Sequence, residues 1–101
     1  MTEEKVAMAE EFPEDSMRGV QLGENQILIA NVGGNFFAMN NICTHNGCKI
    51  ATGILRGEIA QCPCHGSQFN VRTGEVVHGP ARKPEPVWDV AVKDGGLYLV
   101  K

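Results

Sequence analysis

Residues 43–45 and 62–65 each pair a cysteine with a histidine: Cys43 with His45 across one intervening residue, and Cys62 with His65 across two. Thiolate sulfur and imidazole nitrogen are donors that transition metals accept, so four such side chains at this spacing point to a single metal centre. Any fold open to this chain must bring the two stretches together. A shared metal would then staple position 43 to position 65, which matters in a domain with little interior to bury. Zinc would accept the four ligands in tetrahedral form. A two-iron, two-sulfide (2Fe-2S) cluster asks for them more specifically, because one class of such clusters replaces two cysteines by two histidines on one iron.

The chain has 101 residues, enough for one small domain spanning 1–101. A hydrophobic fraction of 43% and a net charge of -3 are ordinary for a globular protein, and no basic patch suggests a nucleic-acid partner. The start, Met1-Thr2-Glu3-Glu4-Lys5, lacks the basic and apolar regions of a secretory signal, and no apolar run approaches a membrane span. A cytoplasmic monomer without a membrane partner is expected. Glu3, Glu4, Glu10, Glu11, Glu14 and Asp15 crowd the first fifteen positions. A solvated strand edge and loop accounts for them, with a docking patch for a basic partner as the sharper alternative.

Twelve glycines and five prolines punctuate short stretches rich in Val, Ile, Leu and Phe, which is the pattern of an all-β domain. Strands are predicted at 6–9 and 20–22. A hairpin follows at 26–32 and 35–40 around Gly33-Gly34, a pair suited to the positive φ angles of tight turns. It delivers the chain to Cys43. A second hairpin, 50–55 and 58–61, carries the chain from the first ligand stretch to the second, and a third joins 69–71 to 75–77 across Thr73-Gly74. Trp88, Val90 and Val92 alternate with polar residues, predicting one buried strand face, and 97–100 closes the sheet. Trp88 and Tyr98 read as core residues, and His78 as a surface or loop residue.

If the metal centre is the mixed-ligand cluster, each loop sends its cysteine to one iron and its histidine to the other. Imidazoles bind neutral where thiolates bind as anions, so the oxidised centre sums to about zero charge against about -2 for an all-cysteine cluster. Adding an electron is then easier, and the electron belongs on the iron held by His45 and His65. Gly47, Gly66 and Gly79 suit backbone that approaches sulfur closely enough to donate amide hydrogens, and Ser67 could add a hydroxyl donor.

Cys43-Thr44-His45-Asn46-Gly47-Cys48 and Cys62-Pro63-Cys64-His65-Gly66-Ser67 resemble the two boxes of Rieske iron-sulfur proteins. Gly79-Pro80-Ala81 resembles the proline loop that covers the cluster in that family, and Phe36-Phe37-Ala38-Met39-Asn40 resembles the strand leading into the first box of stand-alone Rieske ferredoxins. The resemblance implies a Rieske-type β-sandwich with a small inserted cluster-binding subdomain at about 41–82, and a 2Fe-2S cluster held by Cys43, His45, Cys62 and His65. It further implies a disulfide between Cys48 and Cys64, as in the high-potential branch of the family, although a reducing cytoplasm would favour two free thiols. That branch usually carries a tyrosine two positions after the box serine. Phe69 stands there instead, so an intermediate potential is expected.

The function expected from the resemblance is one-electron transfer from a reductase to an oxygenase or another redox enzyme, without catalysis by the chain itself. Alternatives are a Rieske-like small subunit of a nitrite reductase or arsenite oxidase complex, or a redox-sensing or zinc-binding regulatory module. Lys49, Arg56, Arg82 and Lys83 could surround the cluster end and bias the choice of partner, or serve only as solubilising charge.

Overall fold

The computed structural model describes residues 3–43, 47–64 and 66–100; His45 and His65 lie outside the described residues. Ten strands account for most of the described residues. They are β1 (Glu3–Met8), β2 (Ser16–Leu22), β3 (Asn25–Val32), β4 (Asn35–Asn40), β5 (Ile54–Arg56), β6 (Ile59–Gln61), β7 (Gln68–Asn70), β8 (Val76–His78), β9 (Val87–Lys93) and β10 (Gly96–Val100). Six form an antiparallel sheet in the order β1-β10-β9-β4-β3-β2, and the other four form a meander, β5-β6-β7-β8, within the connection between β4 and β9.

The run Ile27-Leu28-Ile29-Ala30 makes β3 the centre of the molecule. Successive side chains of a strand point to opposite faces, so an uninterrupted apolar run must be covered on both. Ile27 and Ile29 join Phe12, Ala38, Leu97 and Leu99 in one core. Leu28 and Ala30 join Met39, Ile50, Ala60, Phe69 and Val71 in the other, to which Cys43 and Cys62 also belong. The larger sheet curls because β4 and β9 pair only at Ala38↔Trp88 and Met39↔Val87. Its halves, β1-β10-β9 and β4-β3-β2, enclose the first core, while the small sheet closes the second. Burying each Leu, Ile or Phe in these cores contributes about 1.5–3 kcal/mol.

Several strand limits differ from the sequence reading, for non-local reasons. β1 begins at Glu3, because pairing with β10 extends it, and Ala9 already belongs to a 3-10 turn, Ala9–Glu11. The acidic start is partly neutralised within the molecule: Glu3 pairs with Lys93, and Glu11 pairs with Arg18 at 3.4 Å. No strand forms at 50–53. The Asn41 carbonyl accepts the Ile50 amide and its side-chain oxygen accepts the Ala51 amide, both at 2.8 Å, which turns Ile50–Thr52 into a 3-10 helix. At Gly53 the backbone passes so close to β6 that a Cβ would stand 1.9 Å from the Gln61 carbonyl oxygen. Val92 is 53% exposed, since β9 has left β4 by that point and lies open along that edge. Trp88 is half-buried against the first core, as is Val90. No helix among the described residues is long and apolar enough to cross a membrane.

Candidate metal centre

Both cysteine-bearing stretches are hairpin loops built on one plan. The first is bracketed by the bridge between Ile42 and Lys49, the second by the β6–β7 pair Gln61↔Gln68. In each, the amide of the leading cysteine donates to the carbonyl five residues on: Cys43 to Cys48 and Cys62 to Ser67, both at 2.8 Å. The fifth position is glycine in both, with φ of 77° at Gly47 and 78° at Gly66. That left-handed backbone carries a steric penalty for residues with a Cβ, so glycine is what lets the two loops close alike. Gly79, the third glycine expected near sulfur, has no positive φ and is exposed beside the cis peptide to Pro80.

The four cysteines separate into two kinds. Cys48 and Cys64 are joined by a disulfide across the loops, with Cα atoms 6.3 Å apart. Cys43 and Cys62 remain free and are 3% and 1% exposed. Burial pushes the Cys62 thiol above its ordinary value; the Cys64 backbone amide opposes this, while the Cys43 thiol and the Glu85 carboxylate reinforce it. The dry Cys62 sulfur therefore favours the protonated form, and a cation beside it would supply the charge that holds it as a thiolate. This donor set fits a cluster that takes two cysteines on one iron, because the disulfide withdraws the other two. His45 and His65, the remaining expected ligands, lie outside the described residues.

Ser67 occupies the sixth position of the second loop and is 1% exposed. Its hydroxyl oxygen accepts the Ala81 amide at 3.0 Å, tying the loop to the Gly79-Pro80-Ala81 segment. Ala81 is buried, whereas Gly79 and Pro80 face solvent. Phe69 is fully buried in the second core. Of the four expected cations, Lys49 borders the first loop and Arg82 and Lys83 follow Ala81, all exposed, but Arg56 sits at the far end of the β5–β6 hairpin from Cys62. His78 is exposed at the end of β8 and Tyr98 is half-buried in β10.

One charged residue escaped the sequence reading. Glu85 is only 2% exposed, accepts a hydrogen bond from the Asn40 side chain at 3.1 Å, and donates its amide to the Gly74 carbonyl at 2.8 Å. A glutamate between Pro84 and Pro86 reads as exposed loop, and no local signal marks it otherwise.

The sequence profile of the Rieske [2Fe-2S] domain matches residues 2–93. The chain belongs to the Rieske domain family. It is 34% identical over 96 residues to ferredoxin CarAc of Metapseudomonas resinovorans, an alignment covering 94% of this chain and 90% of that one. It is also 34% identical over 95 residues to the ferredoxin subunit of 3-phenylpropionate/cinnamic acid dioxygenase of Photorhabdus laumondii, covering 93% and 90%. Among solved structures, a chain from the complex of reduced oxygenase and oxidized ferredoxin in carbazole 1,9a-dioxygenase superposes with a TM-score of 0.90 at 34% identity, covering 96% of this chain and 91% of that one. Membership in the Rieske family implies a 2Fe-2S cluster as the resident cofactor, which the paired free cysteines accommodate.

Proposed function

We propose that this Rieske domain is a one-electron carrier that receives an electron from a reductase and delivers it to an oxygenase, working in the cytoplasm as a monomer. Cys43 and Cys62 hold one iron of the 2Fe-2S cluster and His45 and His65 the other, within a cluster-binding subdomain at about 41–82. When bound, the cluster supplies a one-electron couple with a potential roughly between -150 and +300 mV. The single observation that carries this reading is the pair of buried, unoxidised cysteines that open two matched loops.

The chain's own residues set the conditions of the transfer. Burial keeps water from both sulfurs, and the Cys64 amide faces the Cys62 sulfur, where a donor favours negative charge. The two i to i+5 backbone bonds and the disulfide fix the loops relative to each other, which keeps reorganisation small when charge changes. The ferredoxins of dioxygenase systems among its relatives support the choice of an oxygenase as acceptor.

The test is electron paramagnetic resonance of the dithionite-reduced protein, alone and as the His65→Ala variant. The wild type is expected to give the rhombic Rieske signal and the variant to lose it. A variant that retains the signal refutes the ligand assignment, and a wild type without it refutes the carrier itself.

A further inference from the structure

The sulfurs of Cys48, Cys62 and Cys64 all lie within 4.8 Å of one another. Three of the chain's cysteines therefore converge on one small region, although only Cys62 among them is a ligand of the proposed cluster. Tetrahedral zinc with Zn–S bonds of about 2.3 Å requires sulfurs about 3.8 Å apart. Cys62 already stands within 4.8 Å of both other sulfurs. What prevents such a site is the covalent bond between Cys48 and Cys64, which holds two sulfurs too close together and leaves neither as a thiolate.

We propose that opening the Cys48–Cys64 disulfide creates a thiolate site for one soft divalent cation, with Cys48, Cys62 and Cys64 as its sulfur ligands. The disulfide is thus a metal-selectivity device: oxidised, it leaves two cysteines for a mixed cysteine–histidine cluster; reduced, it exposes an all-sulfur site that suits zinc. The chemistry balances in two steps. A dithiol reductant gives up two electrons and two protons, the S–S bond breaks, two thiols form, and the reductant becomes a disulfide. Zinc then binds the sulfurs and each ligating thiol releases its proton to solvent, so uptake is stronger at higher pH. Half-burial of Cys48 and Cys64 leaves the disulfide within reach of a small reductant.

This inference deepens the proposed site, and rests on that reading only for the competing use of Cys62. Its test uses the full-length, cluster-free protein and zinc ion alone, in competition with a chromophoric chelator, before and after disulfide reduction under argon. The reduced chain is expected to bind one zinc at least about 100-fold more tightly than the oxidised chain. Cobalt in place of zinc should give the sulfur-to-metal charge-transfer bands of a tetrahedral thiolate site only after reduction. Equal affinity in the two states overturns the proposal. So does a Cys48→Ser, Cys64→Ser double variant that binds zinc as tightly as the reduced wild type, since Cys43, Cys62 and the histidines would then suffice. Zinc uptake accompanied by loss of the far-ultraviolet β signal overturns it as well. The paramagnetic signal of the oxidised-disulfide, cluster-loaded protein is a separate measurement, so failure of the carrier reading and failure of this one are distinguishable.

Discussion

Replacing Ser67 with alanine removes one oxygen atom and tests how the second ligand loop is tied to the segment at 79–81. The hydroxyl accepts the Ala81 amide at 3.0 Å, in a place where Ser67 is 1% and Ala81 4% exposed. Alanine keeps the backbone bond from Cys62 to the Ser67 carbonyl, so the loop itself still closes. What is lost is the acceptor for a buried amide that water does not readily reach. A donor stranded in this way costs about 1–3 kcal/mol, more than the roughly 1 kcal/mol net value of an ordinary hydrogen bond. Urea denaturation of the oxidised protein should therefore show a stability loss of about 1–3 kcal/mol. Native-state hydrogen exchange should show the Ala81 amide exchanging about 5- to 150-fold faster, the same energy expressed as a local opening constant. The Cys62 amide should be accelerated far less than that of Ala81. A stability change below about 0.5 kcal/mol with unaltered exchange at Ala81 would refute the argument.

Three further outcomes follow from the geometry. Gly53→Ala places a methyl group 1.9 Å from the Gln61 carbonyl oxygen, a backbone atom that no rotamer change relieves, so it should destabilise the fold by about 4 kcal/mol or more; a thermal transition within a few degrees of wild type would contradict this. Substituting both Cys48 and Cys64 by serine opens a loop of sequence separation 16, which should lower stability by roughly 3 kcal/mol in urea titrations under non-reducing conditions, and an unchanged midpoint would count against the staple. Glu85→Gln removes a negative charge that opposes negative charge on Cys62, so protein-film voltammetry should find the potential raised by tens of millivolts, on the order of 1 kcal/mol; a lowered or unchanged potential would show that the carboxylate does not act on the centre.

The parts legible in the sequence are those whose physics is local. Gly33-Gly34 marks the β3–β4 turn, and the apolar run at 27–30 marks a strand, because both depend on residues adjacent in the chain. The Cys43 and Cys62 stretches were visible for the same reason: a hairpin loop that presents sulfur must concentrate its cysteine and glycine within six positions. What was not legible depends on residues far apart. Asn41 captures the amides of Ile50 and Ala51, and nothing near position 50 announces that a predicted strand will become a 3-10 turn. Glu85 is buried only because Asn40 and Gly74 are folded against it. The Cys48–Cys64 pairing was anticipated through family resemblance, since the spacing of four cysteines alone leaves the connectivity open.

The matched plan of the two loops also ranks their mobility. In each, the sixth position sends a side chain out of the loop: Cys48 bonds covalently to the second loop, and Ser67 accepts a hydrogen bond from the segment at 79–81. Among the described residues the three segments are thereby linked in series, first loop to second by a disulfide, second loop to the 79–81 segment by the Ser67–Ala81 hydrogen bond and the burial of Ala81 in the second core. The links differ greatly in strength. Breaking the hydrogen bond requires about 1–3 kcal/mol, whereas the disulfide does not open without a reductant. Thermal fluctuation therefore loosens the Ser67–Ala81 link long before it separates the loops from each other. Gly79 and Pro80 are already exposed, so movement there needs little further desolvation. A partner docking against this end can thus shift the exposed Gly79 and Pro80 while the cysteine pair and the buried Ala81 stay fixed.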